Sequence, residues 1–142
     1  MIYGIGADIL RVSRIGKVYA RHGERFLDHV LHPAEREAFA SQKKPALFLA
    51  KSFAVKEAFV KALGTGFVGV AHEDIGCERD ELGKPTLLFS TKLKRKLAKL
   101  GIARTHVSIS DDEDWICAMV VLEREATRTR RSSRRGTPEK LR

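Results

Sequence analysis

The sequence predicts an α+β protein, and three observations lead to that class. Segments with strand alternation and segments with helical spacing follow one another without the regular β–α–β order of a parallel sheet. The chain has 142 residues, a length that favours one domain with a modest core. Its apolar fraction of 43% and charged fraction of 32% are typical of globular proteins.

The first half of the chain predicts one strand and three helices. Residues 2–10 alternate as a strand, whose two faces carry Tyr3, Ile5, Ala7 and Ile9, and Ile2, Gly4, Gly6 and Asp8. Helices are predicted over about 12–22 and 33–41. A third helix follows Pro45, has apolar residues at helical spacing and ends at Gly64.

The second half predicts two pairs of strands separated by a short amphipathic helix. Turn residues separate the strands of each pair, which indicates hairpin connections. In chain order these elements are a strand at 75–79, a strand at 86–89, a helix at 91–100, and strands at 105–110 and 115–122.

The formal net charge of +9 is concentrated near the C-terminus. The 19 residues from Arg124 to Arg142 hold eight Lys or Arg and two Glu, so the first 123 residues carry only +3. Residues 126–142 lack apolar periodicity, and we expect a basic, disordered tail after a domain at residues 1–125. Such a tail can contact nucleic acid or an anionic membrane, but a solvated appendage is the commoner outcome.

Cysteine usage and the N-terminal pattern favour the cytoplasm. Cys77 and Cys117 are the two cysteines, and they lack metal-ligand spacing, which argues against a disulfide framework or a zinc site. No basic segment followed by an apolar stretch opens the sequence. No apolar run approaches the roughly 20 residues of a membrane span, so a membrane partner is not expected.

Asp8 is the first candidate for chemistry. It shares a strand face with Gly4 and Gly6, which have no side chains to crowd a carboxylate or an approaching ligand. The alternative is that Asp8 ends the strand and pairs with Arg11 or Arg14, and the pattern does not decide between the two.

The second candidate is the segment that contains Glu57, Lys61 and the glycine-containing run at 64–66. Glu57 and Lys61 are four residues apart and lie on one helix face, where an exposed ion pair is the commoner explanation. A carboxylate, an ammonium group and a Gly-Thr-Gly loop within ten residues also suit a pyrophosphate and its Mg²⁺.

Two further patterns are weaker. His106, Ser108 and Ser110 share one face of a predicted strand, although a lone strand histidine is more often structural. Basic residues form a stripe if the helix predicted at about 12–22 continues through Gly23. Such a stripe either binds an acidic partner or faces solvent. The stripe consists of Arg14, Lys17, Arg21 and Arg25.

Together these segments resemble the holo-[acyl-carrier-protein] synthases of the 4′-phosphopantetheinyl transferase superfamily. Residues 4–15 resemble the N-terminal signature of that family, and residues 53–66 resemble its second, specific signature. The runs at 81–85 and 106–111 resemble later landmarks. The resemblance extends from residue 1 to about 125. It implies a small antiparallel sheet packed with helices, with the active site between subunits of a trimer.

The resemblance implies transfer of 4′-phosphopantetheine from coenzyme A to a serine of apo acyl carrier protein, with release of 3′,5′-ADP, in support of fatty acid biosynthesis. Asp8 and Glu57 are then the Mg²⁺ ligands, in agreement with the preference of Mg²⁺ for oxygen. Lys61 neutralises phosphate oxygens, and Glu57, directly or through a metal-bound water, is the candidate base for the serine hydroxyl.

The resemblance also assigns binding roles to residues beyond the catalytic three. Gly64, Thr65 and Gly66 line the nucleotide site, and His106 lies near the nucleotide phosphates. Arg14, Arg21 and Arg25 correspond to the docking helix for the acidic carrier protein, where opposite charge speeds association.

One position departs from the family pattern. Many members have arginine where this chain has Ser52. Lys51 is basic, but adjacent positions on a helix point about 100° apart. The contacts that position 52 makes with phosphate or carrier therefore differ from those of the family.

The main rival interpretation is a small basic nucleic-acid-binding protein. It is supported by the net charge, but the folded part has no basic patch interleaved with aromatic residues. Deletion of residues 127–142 separates the two, since the transferase is expected to keep its activity. A module that binds coenzyme A without catalysis is a third interpretation, which the pair of Asp8 and Glu57 argues against.

Overall fold

The protein is described by a computed structural model that covers residues 1–126. The predicted tail at 126–142 therefore lies outside the described residues, except for its first residue. Strands and helices alternate irregularly, in the order β1 (Ile2–Arg11), α1 (Val12–His22), α2 (Glu24–Val30), α3 (Pro33–Phe39), α4 (Pro45–Leu63), β2 (Ile75–Arg79), β3 (Pro85–Phe89), α5 (Thr91–Lys99), β4 (Ile102–Asp112) and β5 (Trp115–Arg124), with a 3₁₀ turn at His72–Asp74.

The strands form two antiparallel sheets, which confirms the α+β class. The larger sheet has the order β1-β5-β4, and the smaller is the hairpin of β2 and β3. In the larger sheet Asp8 lies opposite Ala118, and Ala118 lies opposite Ile109. In residues 1–126 no helix is both long enough and apolar enough to cross a membrane.

The largest differences from the prediction concern β4 and α2. Strand β4 begins at Ile102 and runs through Asp112, because pairing with the long strand β5 continues to a tight turn at 113–114. Helix α2 was not predicted at all: Gly23, with φ of 54°, ends α1, and a seven-residue helix follows directly. Its apolar pattern is too short to be recognised by periodicity.

Helix α4 packs directly on β1 through the two glycines of the strand. A Cβ atom at Gly6 would lie 1.9 Å from the carbonyl oxygen of Ala58, and one at Gly4 would lie 2.0 Å from that of Ala62. The strand face that carries Gly4 and Gly6 is therefore covered by the backbone of α4 and is not open to a ligand. Asp8, two residues further along the same face, is the first position with room for a side chain.

A buried ion pair joins α4 to α3. Lys56 is fully buried, and its Nζ atom lies 2.6 Å from Glu35 Oε1 and also donates to the carbonyl of Val30. Ser52 Oγ and the backbone N–H of Cys77 donate to Glu35 Oε2, at 2.7 and 3.2 Å. Burial lowers the pKa of Lys56, and the Glu35 carboxylate opposes that shift.

We predict that Gly6→Ala destabilises the protein by at least about 3 kcal/mol, because the added methyl group meets helix backbone that cannot rotate away. Urea denaturation gives the free energy of unfolding. The matched control is Gly16→Ala in α1, whose Cβ would meet only the Ala46 side chain at 3.5 Å, and we expect it to stabilise by up to about 1 kcal/mol. Equal effects at the two positions would contradict the close packing of α4 on β1.

We predict that Lys56→Met lowers the free energy of unfolding by about 3 kcal/mol, because it leaves the buried Glu35 carboxylate without its cation. The same substitution at the exposed Lys99 of α5 serves as control and should change stability by less than about 0.5 kcal/mol. Chemical denaturation measures both. A loss at Lys56 as small as that at Lys99 would show that the pair does not hold α3 and α4 together.

Candidate active site

Asp8 and Lys61 meet where β1 leaves the glycine contact with α4. Lys61 Nζ lies 3.1 Å from Asp8 Oδ1 and donates to the carbonyl of Ala7 at 3.0 Å. The Lys61 side chain is 53% exposed, whereas that of Asp8 is 16% exposed. Thus Asp8 is held by Lys61 of the neighbouring helix, and not by Arg11 or Arg14.

Glu57 lies one helical turn before Lys61 and faces the same group of charges. Burial raises the pKa of Glu57, and the nearby Asp8 carboxylate raises it further. The charges of Lys61 and Arg14 partly oppose this shift. The structure therefore brings Asp8, Glu57, Lys61 and Arg14 into one electrostatic cluster at the seam between α4 and β1.

His72 contacts Glu57, and sequence reasoning missed it. Its ring is stacked between Phe53 and Phe67, with centroid distances of 5.3 and 3.9 Å. His72 Nε2 lies 3.5 Å from Glu57 Oε1. Burial lowers the pKa of His72 to about 4, so the ring is neutral at pH 7. No motif identified this histidine, because the contact joins residues that are fifteen positions apart in different elements.

The Gly-Thr-Gly segment follows the C-terminus of α4 directly. Gly64 has φ of 81° and Gly66 has φ of 60°, a region that favours glycine. The Gly64 N–H donates to the carbonyls of Val60 and Lys61 and so completes the helix end. This N–H group is therefore already satisfied within the helix end. Thr65 and Gly66 are exposed.

His106 does not join the cluster within one chain. It lies on β4 opposite Val121, on the sheet face that points away from α4, and its Nε2 atom is 2.8 Å from Glu123 Oε2. Asp8 lies on β1, at the far edge of the sheet, and on the other face. The strand alternation that put His106, Ser108 and Ser110 on one face is confirmed, since these three residues are all exposed.

The predicted basic stripe is divided between two helices. Gly23 interrupts the helix, so Arg14 and Arg21 lie on α1 whereas Arg25 lies on α2. The helix ends at Gly23 as predicted, so the condition for one continuous basic stripe is not met, although all three arginines are exposed. Arg14 is the member that reaches the charge cluster, since it contributes to the pKa of Glu57.

Ser52 points inward because it hydrogen-bonds to the buried ion pair of Glu35 and Lys56. Ser52 is 4% exposed and donates to Glu35, so its side chain points inward. Lys51 is partly exposed, and its Nζ atom lies 3.6 Å from Asp111 Oδ1. Both residues line a cleft of about 710 Å³ whose basic members are Lys43, Lys44, Lys51 and Arg79. Asp8 and Glu57 do not line this cleft.

The residues at the seam fit a divalent cation. Two carboxylates lie close enough for one to raise the pKa of the other, and a bound cation would relieve that repulsion. Within residues 1–126 no three potential metal-ligating side chains come together. An ion held here would therefore take its remaining ligands from water or substrate, which is typical of Mg²⁺ and not of a structural metal.

The fold and this cluster define a class of enzyme. A two-sheet α+β domain carries paired carboxylates and a lysine at the seam between a long helix and the first strand. A sequence model described as the 4′-phosphopantetheinyl transferase superfamily matches residues 4–120. The chain belongs to that superfamily.

Known proteins narrow the class to one family. A holo-[acyl-carrier-protein] synthase of Thiobacillus denitrificans is 46% identical over 128 residues, which cover 89% of this chain and 98% of the relative. The crystal structure of the Neisseria meningitidis synthase aligns with a TM-score of 0.85 at 44% identity, covering 87% of this chain and 100% of that chain. The chain is thus an enzyme of the holo-[acyl-carrier-protein] synthase family, which confirms the resemblance.

A third comparison concerns the ligand. The holo-(acyl-carrier-protein) synthase of Bacillus anthracis was crystallised in complex with CoA (3′,5′-ADP). It aligns with a TM-score of 0.73 at 36% identity, covering 88% of this chain and 99% of that chain. A relative of the same fold therefore binds the nucleotide that the resemblance implies.

Proposed function

We propose that this enzyme transfers the 4′-phosphopantetheine group of coenzyme A to a serine of apo acyl carrier protein in the cytoplasm, releasing 3′,5′-ADP and supporting fatty acid biosynthesis. The observation that carries the proposal is the cluster of Asp8, Glu57 and Lys61, in which two acidic side chains and one basic side chain converge from β1 and α4. The relative in complex with CoA (3′,5′-ADP) supports coenzyme A as the co-substrate.

Asp8 and Glu57 are the residues that would hold Mg²⁺. When bound, the ion would neutralise the pyrophosphate and stabilise charge as the phosphoanhydride bond breaks. Lys61 is anchored on Asp8 and Ala7 and is half exposed, so its ammonium group is available to the phosphate oxygens. Gly64, Thr65 and Gly66, which are exposed at the end of α4, complete the proposed nucleotide contacts.

Glu57 is the proposed base in the transfer. The serine oxygen forms a bond to phosphorus, the phosphoanhydride bond to 3′,5′-ADP breaks, and the serine proton passes to the carboxylate. A general base works best when its pKa approaches the working pH. Burial and the nearby Asp8 carboxylate raise the pKa of Glu57, whereas a cation bound to the same carboxylate would lower it.

Arg14, Arg21 and Arg25 are the proposed dock for the carrier protein. All three are exposed, and Arg14 lies close enough to Glu57 to affect its pKa. An acidic partner held by these residues would therefore present its serine near the charge cluster. Opposite charges in this arrangement mainly accelerate association.

A homotrimer is the proposed assembly, with the active site shared between neighbouring copies. The sheet face that points away from α4 exposes large apolar side chains: Ile5, Ile9 and Met119 are 66%, 65% and 51% exposed. An apolar surface of this kind favours burial against another protein surface. His106 lies on the same face, and in the proposed trimer the His106 strand of a second copy borders the site of its neighbour.

We predict that Asp8→Asn and Glu57→Gln each reduce transfer by about 100-fold or more, because a carboxylate that would hold the Mg²⁺ ion is lost. The assay incubates the enzyme with Mg²⁺, coenzyme A and apo acyl carrier protein, and follows the added phosphopantetheine mass by mass spectrometry. Glu37→Gln, on the exposed side of α3, is the control and should keep full activity. Normal turnover in both site variants would refute the proposed metal site.

We predict that Ile5→Lys dissociates the assembly and abolishes transfer, because a buried ammonium group in an apolar interface has no partner. Light scattering coupled to size exclusion should give about three chain masses for the unmodified protein and one for the variant. The control is Leu82→Lys in the β2–β3 turn, a residue that is 95% exposed, and it should remain assembled. A fully active single-chain species of the unmodified protein would exclude a shared active site.

A further inference from the structure

The ring of His72 is fixed on both faces by aromatic neighbours. Phe53 of α4 stacks on one side, at an interplanar angle of 22°, and Phe67 of the loop after α4 stacks on the other, at 19°. Phe53 lies four residues before Glu57, so the two side chains share a helix face. A ring stacked on Phe53 is therefore held with one edge towards the Glu57 carboxylate.

Aromatic packing alone does not explain a histidine at this position. His72 Nε2 is the one buried side-chain nitrogen or oxygen in residues 1–126 that has no hydrogen-bond partner. A phenylalanine would fill the same stack without leaving a polar atom unpaired, and an unpaired buried polar atom destabilises the fold. The nitrogen therefore calls for a partner, and Glu57 Oε1, at 3.5 Å, faces it.

The gap between the two atoms is short enough for a side-chain movement to close it. A direct N–H···O bond requires about 2.9–3.0 Å, so the carboxylate has to approach by about half an ångström. The His72 ring is stacked on two aromatic rings. Glu57 is half-buried, and its carboxylate lies at the end of a flexible side chain. The carboxylate is thus the group that moves.

We infer that His72 is a positioning residue for Glu57: the imidazole donates its Nε2–H to Oε1 and so orients the carboxylate for Mg²⁺ and for its role as base. This inference rests on the proposed function, because it concerns how the proposed site is held in its working arrangement. Carboxylates that bind metals are commonly oriented by a hydrogen bond from a second residue, and loss of that bond typically weakens metal affinity 10- to 100-fold.

The test compares three variants that differ in the donor atom. His72→Phe and His72→Leu remove the donor and keep the site filled with apolar atoms, whereas His72→Gln keeps an N–H donor at a similar distance along the side chain. Binding of Mn²⁺ is measured by electron paramagnetic resonance, with coenzyme A present and no carrier protein. Thermal unfolding of each variant reports separately whether the fold is retained.

We expect the affinity for Mn²⁺ to fall about 10-fold or more in His72→Phe and His72→Leu, and to recover to within about three-fold of the original in His72→Gln. In the transfer assay, kcat should fall in the first two variants, with the KM for the carrier unchanged. If His72 had a purely structural role, His72→Gln would also unfold at a lower temperature than the unmodified protein, and its affinity for Mn²⁺ would not recover.

The outcomes separate this inference from the proposed function. If the unmodified protein binds no Mn²⁺ with coenzyme A, the proposed metal site fails and the role of His72 fails with it. If the unmodified protein binds Mn²⁺ and the Phe and Leu variants bind it equally well, only the positioning role is overturned. Equal losses in all three variants would also overturn it, since the donor atom would then not matter.

Discussion

The packing of α4 against β1 is the constraint on which the rest of the structure depends. Two glycines allow the helix backbone to approach the strand so closely that no side chain fits between them. This contact fixes the height of α4 above the sheet. It ends at Asp8, and for this reason the first side chain beyond the glycines lies within reach of Lys61, two residues before the end of the helix.

The charges at this seam depend on partial burial. Glu57 is removed from water enough to raise its pKa, and the Asp8 carboxylate adds to that shift, yet Lys61 and Arg14 keep the cluster from carrying an uncompensated negative charge. The neighbouring His72 is neutral and contributes a hydrogen-bonding atom in place of a charge. A site of this composition is suited to hold a cation and a polyphosphate together, since the positive charge of the cation and the negative charges of the phosphates compensate each other.

The two faces of the larger sheet have different roles. The inner face is filled by α4 and positions the carboxylates, whereas the outer face exposes apolar side chains together with His106. The basic cleft beside Lys51 is also separate from Asp8 and Glu57. The features associated with anion binding are thus divided between distant parts of one chain, and assembly of copies provides a physical way to unite them.

The sequence by itself determined the features that depend on local periodicity. Strand alternation put Asp8 on one face with Gly4 and Gly6 and put His106 on one face with Ser108 and Ser110, and helical spacing put Glu57 beside Lys61, because side-chain direction within one element follows from its own backbone geometry. Only the tertiary structure decided which elements meet. It pairs Asp8 with Lys61, Lys56 with Glu35, and His72 with Glu57. These contacts join distant residues through packing, which no local pattern encodes, and this is why the buried ion pair and the histidine escaped prediction.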